Sequence, residues 1–415
     1  MNPGQTHPLS FDNTKYAFAY KSEKELKKAN WLFSVMGNPF LVNLGVKLTP
    51  LAIKWRIPFT KTILRKTIFK QFVGGESLEK TKPVASLLGE YGVKVILDYG
   101  VEGGEGETAF DEASKEFIKV IKYASQQNNI PFISIKITGI GRFSLLEKID
   151  SLMSQFSGES IISDYENAIA KIDGGEKSEL NKVEQRLMAI CETAHLNKIG
   201  VLIDAEESWI QHPVDALCMI MMKKFNQNKC CIFNTIQLYR HDRFSFLKKS
   251  HLLAQKENFV LGAKLVRGAY MEKERARATE KNYLSPIQTD KKNTDSDYNN
   301  AVAFCLENIK SISMIVASHN EYSNLQTTIL MQSHNIPFNH PHIHFSQLYG
   351  MSDNITFNLA KAGCSVSKYL PFGPIEDVVP YLMRRARENS SVAGQTGREL
   401  SLIMHELKRR ANSKA

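Results

Sequence analysis

Eight short apolar runs, spaced by longer helical stretches, constrain this chain more than any other feature. They fall at residues 93–99 (VKVILDY), 131–137 (PFISIKI), 199–205 (IGVLIDA) and 231–238 (CIFNTIQL). The remaining four are 261–268 (LGAKLVRG), 313–319 (SMIVASH), 342–348 (HIHFSQL) and 365–371 (SVSKYLP). The runs are continuous rather than alternating, which is the pattern of parallel strands covered on both faces. Eight strand–helix units that close on themselves make a (β/α)8 barrel, typically of about 250 residues. The span from 93 to 371 has room for one. The long stretch between Gly139 and Lys198 exceeds a single crossover and predicts extra helices.

The ends of the chain read differently. Residues 1–90 predict an N-terminal helical arm, residues 91–395 the barrel, and residues 396–415 a basic C-terminal helix or tail. Between Pro39 and Val73 there are seven basic residues (Lys47, Lys54, Arg56, Lys61, Arg65, Lys66, Lys70) and no acidic one, among many Leu, Ile, Val and Phe. Such a segment either packs on a core with its lysines in water or lies on an anionic membrane surface. The uncharged stretch Ala29–Val46 contains three Asn, two Gly and a Pro, too polar and broken for a transmembrane helix.

Charge and cysteine content exclude some classes. The formal net charge of +10 favours anionic partners. No basic strand interleaved with aromatics and no zinc-ligand spacing is present, which argues against nucleic acid. None of the six cysteines forms a C-x-x-C pair, which predicts free thiols in a reducing compartment. The first residues lack a basic stretch followed by an apolar one, so a signal peptide is not expected. The expected location is the cytoplasm, with peripheral association at the inner face of a membrane.

In a parallel barrel, function collects at the C-terminal strand ends. These ends place Lys136 on the second strand, Asp204 with Glu206 and Glu207 at the third, and Gln237 and Tyr239 at the fourth. The fifth carries Lys264, Arg267 and Tyr270, the sixth Ser318 and His319, the seventh Leu348, and the eighth ends at Tyr369. Several cations, a carboxylate and tyrosines at one mouth suit a small anionic ligand and a larger polar cofactor. A second reading has Lys136 and Lys264 simply pairing with Asp204. Beyond the last strand, YLPFGPIEDVVPYLMRRARENSS (369–391) predicts a helix with Arg384 and Arg385 near its end and Glu388 a turn further on. These arginines suit either an anion clamp or the helix dipole and an i,i+4 pair. His340, His342 and His344, expected to share one face of a strand, invite a metal, but no carboxylate spacing supports one, so none is expected. The glycines of GIGRFS (139–144) lack a dinucleotide fingerprint.

Two blocks, KLVRGAYMEKERA (264–276) and KYLPFGPIEDVVPYLMRRARENSS (368–391), resemble the signature segments of the proline dehydrogenase family. SIKITGIG (134–141), LIDAEES (202–208), TIQLYR (235–240) and ASHN (317–320) resemble further family segments in the same order. The resemblance runs from about residue 90 to 395. It implies a distorted (β/α)8 barrel that binds FAD non-covalently and oxidises L-proline to Δ1-pyrroline-5-carboxylate. A hydride passes from proline C5 to flavin N5, and the electrons go on to a quinone. By the same resemblance Lys136, Arg384 and Arg385 hold the proline carboxylate. Asp204, Ala269, Tyr270, Leu348 and Tyr369 shape the ring pocket, and Glu102 is the candidate gate residue. Gln237, Lys264, Val266, Arg267, Gly268, Ser318 and His319 would bind FAD, with Glu388 bonding to flavin or steadying the arginines. Asp204, Lys264, Tyr270 and Tyr369 are the expected catalytic set.

This chain departs from the family pattern at two of these places. Lys264 stands where many relatives have arginine, keeping the charge but losing the planar fork. Asp290 stands where several have an arginine near the FAD phosphates, leaving Lys291 as the expected substitute. Relatives that prefer hydroxyproline resemble this chain but carry a small residue at the place of Tyr369. Hydroxyproline dehydrogenase is therefore the alternative within flavin chemistry. From the residues alone, a Schiff-base lysine aldolase or a non-enzymatic basic barrel remains open.

Overall fold

The computed structural model describes residues 9–100, 104–391 and 395–414. Eight parallel strands form a closed barrel in sequence order. They are β1 (Lys94–Tyr99), β2 (Phe132–Ile135), β3 (Gly200–Ile203), β4 (Ile232–Gln237), β5 (Leu261–Val266), β6 (Ile312–Ala317), β7 (Ile343–Leu348) and β8 (Val366–Phe372). Each of the eight apolar runs corresponds to one strand, with β6 starting one residue before its run and β8 ending one residue after it. The chain divides into two compact units, one of residues 1–102 with 345–415 and one of residues 103–344.

The first unit begins with the helical arm: α1 (Thr14–Ala17), α2 (Glu23–Met36), α3 (Pro39–Lys54), α4 (Thr60–Leu64), α5 (Lys70–Phe72) and α6 (Lys82–Glu90). Ser22 and Glu25 form a reciprocal capping box that starts α2. Asn38 accepts the N–H groups of Phe40 and Leu41 to start α3, with Pro39 pre-set for its first turn. A π-helical turn, Arg65–Phe69, separates α4 from α5. α16 (Asp353–Lys361) follows β7, and α17 (Ile375–Ser391) and α18 (Gln395–Asn412) follow β8. The arm is held to this unit by an apolar cluster in which Leu26, Phe33, Phe72 and Val46 pack with Val378, Leu382 and Ile403. A buried ionic knot adds to it: Asp353 is bonded by Lys21 and Lys368, each at 2.9 Å, and by the Tyr20 hydroxyl at 2.8 Å. Burial opposes ionisation of Asp353, but the two ammonium groups hold its carboxyl well below the usual range.

The second unit carries β2–β6 and α7 (Glu107–Ala124), α8 (Phe143–Met153), α9 (Ile161–Ala170), α10 (Gly174–Asn197), α11 (Gln211–Phe225), α12 (Arg243–Lys256), α13 (Met271–Lys281), α14 (Lys291–Glu307) and α15 (Glu321–Ser333). The extra helices expected after β2 are α8 and α9, ahead of the crossover helix α10. Its strands are buried along their length, as continuous apolar runs require. The register pairs Ile135 with Ile203 and Gln237 with Val266, so neighbouring strand ends lie level.

Three sequence expectations need correction. β8 does not end at Tyr369 but continues to Phe372, because the Gly74 N–H bonds to Pro371 O at 2.8 Å and Gly75 bridges to Phe372. Tyr369 is therefore a mid-strand residue, paired with Leu348 of β7 and Ile96 of β1. Arg384 and Arg385 are not near the end of their helix: α17 runs on to Ser391, which removes them from the C-terminal dipole. The histidines do not share a strand face. β7 begins at Ile343, so only His344 lies on it, edge-on to Phe132 with ring centres 5.0 Å apart.

Candidate active site at the strand ends

Within the second unit, the level strand ends bring together side chains that are far apart in sequence. β2 and β3 end at Ile135 and Ile203, and the next residues are Lys136 and Asp204. The Asp204 N–H continues the ladder to Ile135 O at 2.9 Å. The Lys136 ammonium lies 3.9 Å from one Asp204 oxygen. Lys264, projecting from β5, is in direct contact with the other. Two ammonium groups thus flank one carboxylate. The reading in which both lysines pair with Asp204 is correct as geometry, and it leaves the trio with a net positive charge.

Glu206, named at the third strand end but given no role there, is a member of this site. It is fully buried and accepts the Thr138 hydroxyl at 2.7 Å. Its own N–H bonds to Gln211 Oε1 at 3.1 Å, and its carbonyl accepts Gln237 Nε2 at 2.9 Å. Burial pushes its carboxyl up to about 7, against the pull of the Lys136 ammonium and the Thr138 bond. Glu207 pairs with Lys273, and Glu274 takes both the N–H and the hydroxyl of Ser208, at 2.7 and 2.6 Å. The sequence signal was the run of acids from Asp204, and spacing alone does not say which of them is ion-paired and which is held near neutrality.

The candidate cofactor residues occupy β4, β5, β6 and the turns that follow. Gln237 is buried at the end of β4, and its Oε1 has no hydrogen-bond partner among the described residues. Gly268, at φ +134°, lies so close to Tyr239 that a Cβ there would meet the ring at 2.5 Å. Val266 ends β5 just before Arg267, Ala269 follows Gly268, and Tyr270 stands at the N-cap of α13. Arg267 is pinned by Asp295 at 2.7 Å, the Ser318 hydroxyl at 2.7 Å and the Ser323 hydroxyl at 2.9 Å, and lies over the Tyr298 ring. Ser318 and His319 follow β6 directly. Lys291 opens α14, is mostly exposed and pairs with Asp295 at 2.5 Å. Asp290 caps that helix by accepting the Asn293 N–H at 2.7 Å.

The first unit holds the other candidates. Tyr369 is buried on β8, and Leu348 is half-buried at the end of β7. Arg385 is buried on α17 with its guanidinium over the Tyr381 ring, 5.2 Å from its centre. Arg384, beside it, is half-buried. Glu388 lies in α17, but its side chain, like the whole of Glu102, is outside the described residues. Among the described residues no cluster of His, Cys, Asp and Glu is arranged to hold a metal.

A closed parallel barrel with buried, charged residues gathered at its C-terminal strand ends defines the class as a (β/α)8-barrel enzyme. The proline dehydrogenase family model matches residues 82–398. The chain belongs to the proline dehydrogenase family. It is 34% identical over 374 residues to proline dehydrogenase 1, mitochondrial, of Dictyostelium discoideum, covering 84% of this chain and 65% of that protein. It is 31% identical over 414 residues to the hydroxyproline dehydrogenase of Xenopus laevis, covering 95% and 88%. Among solved structures, proline utilization A of Bdellovibrio bacteriovorus matches with a TM-score of 0.69 at 20% identity, over 94% of this chain and 40% of that one. The chain thus spans under two thirds of the Dictyostelium relative and less than half of the bifunctional protein.

Proposed function

We propose that the chain is a flavin-dependent proline dehydrogenase that oxidises L-proline to Δ1-pyrroline-5-carboxylate. The observation that carries this reading is the trio of Lys136, Asp204 and Lys264 at adjoining strand ends of a family member. Its surplus positive charge complements one carboxylate, and the substrate carries one. Glu206, half-neutral near pH 7, leaves that surplus largely intact on the acidic side.

FAD fits the residues present. Gln237 offers a buried acceptor without a partner among the described residues, and Gly268 lets the backbone approach the Tyr239 ring where a Cβ would clash. Gln237, Lys264, Val266, Arg267, Gly268, Lys291, Ser318 and His319 would hold it non-covalently. Bound FAD supplies a two-electron acceptor for the hydride of proline C5. The protein's part is positioning. Lys136, Arg384 and Arg385 hold the carboxylate, and the planar arginine forks bind it bidentately. Tyr369, Leu348, Tyr270 and Ala269 bound the ring and keep water from the reacting carbon. Asp204 holds Lys136 and Lys264 in place. Glu388 and Glu102 are proposed to steady the arginines and close the pocket.

The electrons leave to a quinone, and residues 39–73 are proposed to bring the protein to the membrane that contains it. The relative from Xenopus is named for hydroxyproline, but Tyr369 fills the place where hydroxyproline-preferring relatives carry a small residue, which favours proline. The test is turnover with a soluble dye acceptor, with the product trapped through its imine. Formation of Δ1-pyrroline-5-carboxylate from L-proline supports the reading, and turnover confined to hydroxyproline would replace it.

A further inference from the structure

The helix α3 has two apolar faces, and the fold uses only one. Val42 and Val46 are buried, with Ile53 packed beside them, in the cluster that includes α2 and α17. Phe40, Leu44, Leu48, Leu51 and, at the C-cap, Trp55 are exposed. At 3.6 residues per turn these five side chains fall within about 80° of the helix circumference, on the side away from Val42 and Val46. Five large side chains in so narrow a stripe are not scattered surface residues. Phe40 is 74% exposed and Trp55 68%. The stripe continues past the helix through Phe59, 77% exposed, and Ile63. Phe59 holds a left-handed φ of +64°, uncommon for an aromatic residue.

Cations line this stripe. Lys47 and Lys54 fall along one edge of it on the same helical projection. Lys61, Arg65 and Lys70 pair with Glu376, Glu76 and Glu25. Among the described residues, Lys47, Lys54, Arg56 and Lys66 pair with no acidic side chain, and residues 39–73 contain no acid at all. A contiguous apolar patch of this kind marks an interaction site. Its charge selects the partner: a second copy of the same face would bring like charges together, whereas an anionic bilayer attracts them. No helix among the described residues is long and apolar enough to cross a membrane. We propose that α3 and the start of α4 form a docking surface for anionic lipid, with the α3 axis in the membrane plane, the apolar stripe in the headgroup–acyl boundary and Lys47 and Lys54 at the phosphates. This deepens the quinone reading above by naming the surface that meets the acceptor's membrane.

The test uses the full-length holoenzyme and vesicles of phosphatidylcholine, with or without phosphatidylglycerol. Wild type should sediment with the mixed vesicles, at least about tenfold more tightly than with phosphatidylcholine alone, and salt should weaken it. The double variant Leu48→Glu/Trp55→Glu should lose at least about tenfold in affinity while keeping turnover with a soluble dye. Lys47→Gln/Lys54→Gln should lose a comparable factor through charge alone. Absence of wild-type binding, or equal binding by both variants, overturns the proposal. So does a wild-type dimer that Leu48→Glu/Trp55→Glu dissociates without any vesicle binding. Sedimentation is read without proline, so its outcome and that of the turnover assay are separable.

Discussion

Asp204→Asn removes the carboxylate that lies between Lys136 and Lys264, and the structure says which lysine will suffer more. The Lys264 side chain is only 6% exposed, and Asp204 is its ion-pair partner. Lys136 lies 3.9 Å from Asp204 and is 28% exposed. At an effective dielectric near 20, charges about 4 Å apart attract by about 4 kcal/mol before solvation is counted. Water screens the Lys136 share, which is expected to fall below about 1 kcal/mol. Lys264 is screened far less, and removing one partner of a buried ion pair costs about 3–5 kcal/mol. Asp204→Asn should therefore lose about 3 kcal/mol of stability, read from urea unfolding with FAD saturating throughout. Asp204→Asn/Lys264→Met should regain at least about 1.5 kcal/mol, because the second change removes the stranded ammonium. Lys136→Met alone should cost less than about 1 kcal/mol. If Asp204→Asn costs under about 1 kcal/mol, or the double variant is no better than the single, the trio does not hold together as argued.

Three further outcomes are expected. Arg385→Met should raise KM for proline by about 30-fold or more with flavin retained, since a buried charge-assisted bond is worth about 2–5 kcal/mol; a change under about threefold would count against the carboxylate clamp. Tyr369→Ser should narrow the ratio of kcat/KM for proline over hydroxyproline, which shape alone sets at on the order of 10²-fold; an unchanged or larger ratio would remove Tyr369 from the pocket wall. Glu206, with its carboxyl pushed up from 4.5 to about 7 by burial, favours the fold when protonated. Its contribution is present in full below about pH 4.5 and is lost as pH rises through 7, about 3 kcal/mol across the window. Glu206→Gln should flatten that slope in urea unfolding against pH, leaving the part due to Glu399, which burial and Asp353 also push up to about 7.

The strands were legible because each is an unbroken apolar run bounded by polar turns, a signal that survives without knowledge of partners. Their ends were less so. Pro371 offers no N–H, yet β8 passes through it, because its carbonyl takes the Gly74 N–H from a segment almost three hundred residues away. The Arg384–Arg385 pair looked terminal because the polar tail ARENSS resembles a helix exit, but none of those residues prevents another turn. Lys136, Asp204 and Lys264 could be read as strand-end polar residues, and their mutual contact follows from strand order. The knot of Lys21, Asp353 and Lys368 was invisible, since it joins the arm to β8 and α16 only in three dimensions. Glu206 differs from Glu207 in lacking a lysine in direct contact, which a run of three acids in four residues does not disclose.

The central claim is that L-proline delivers two electrons to a flavin held by this barrel. The direct measurement is the absorption spectrum of the purified protein during anaerobic titration with L-proline. The account predicts an oxidised-flavin spectrum that bleaches on adding proline, with hydroxyproline clearly less effective, and colour that acid precipitation releases into the supernatant. A protein that binds no flavin when supplied with FAD, or one whose flavin stays oxidised in excess proline, would contradict it.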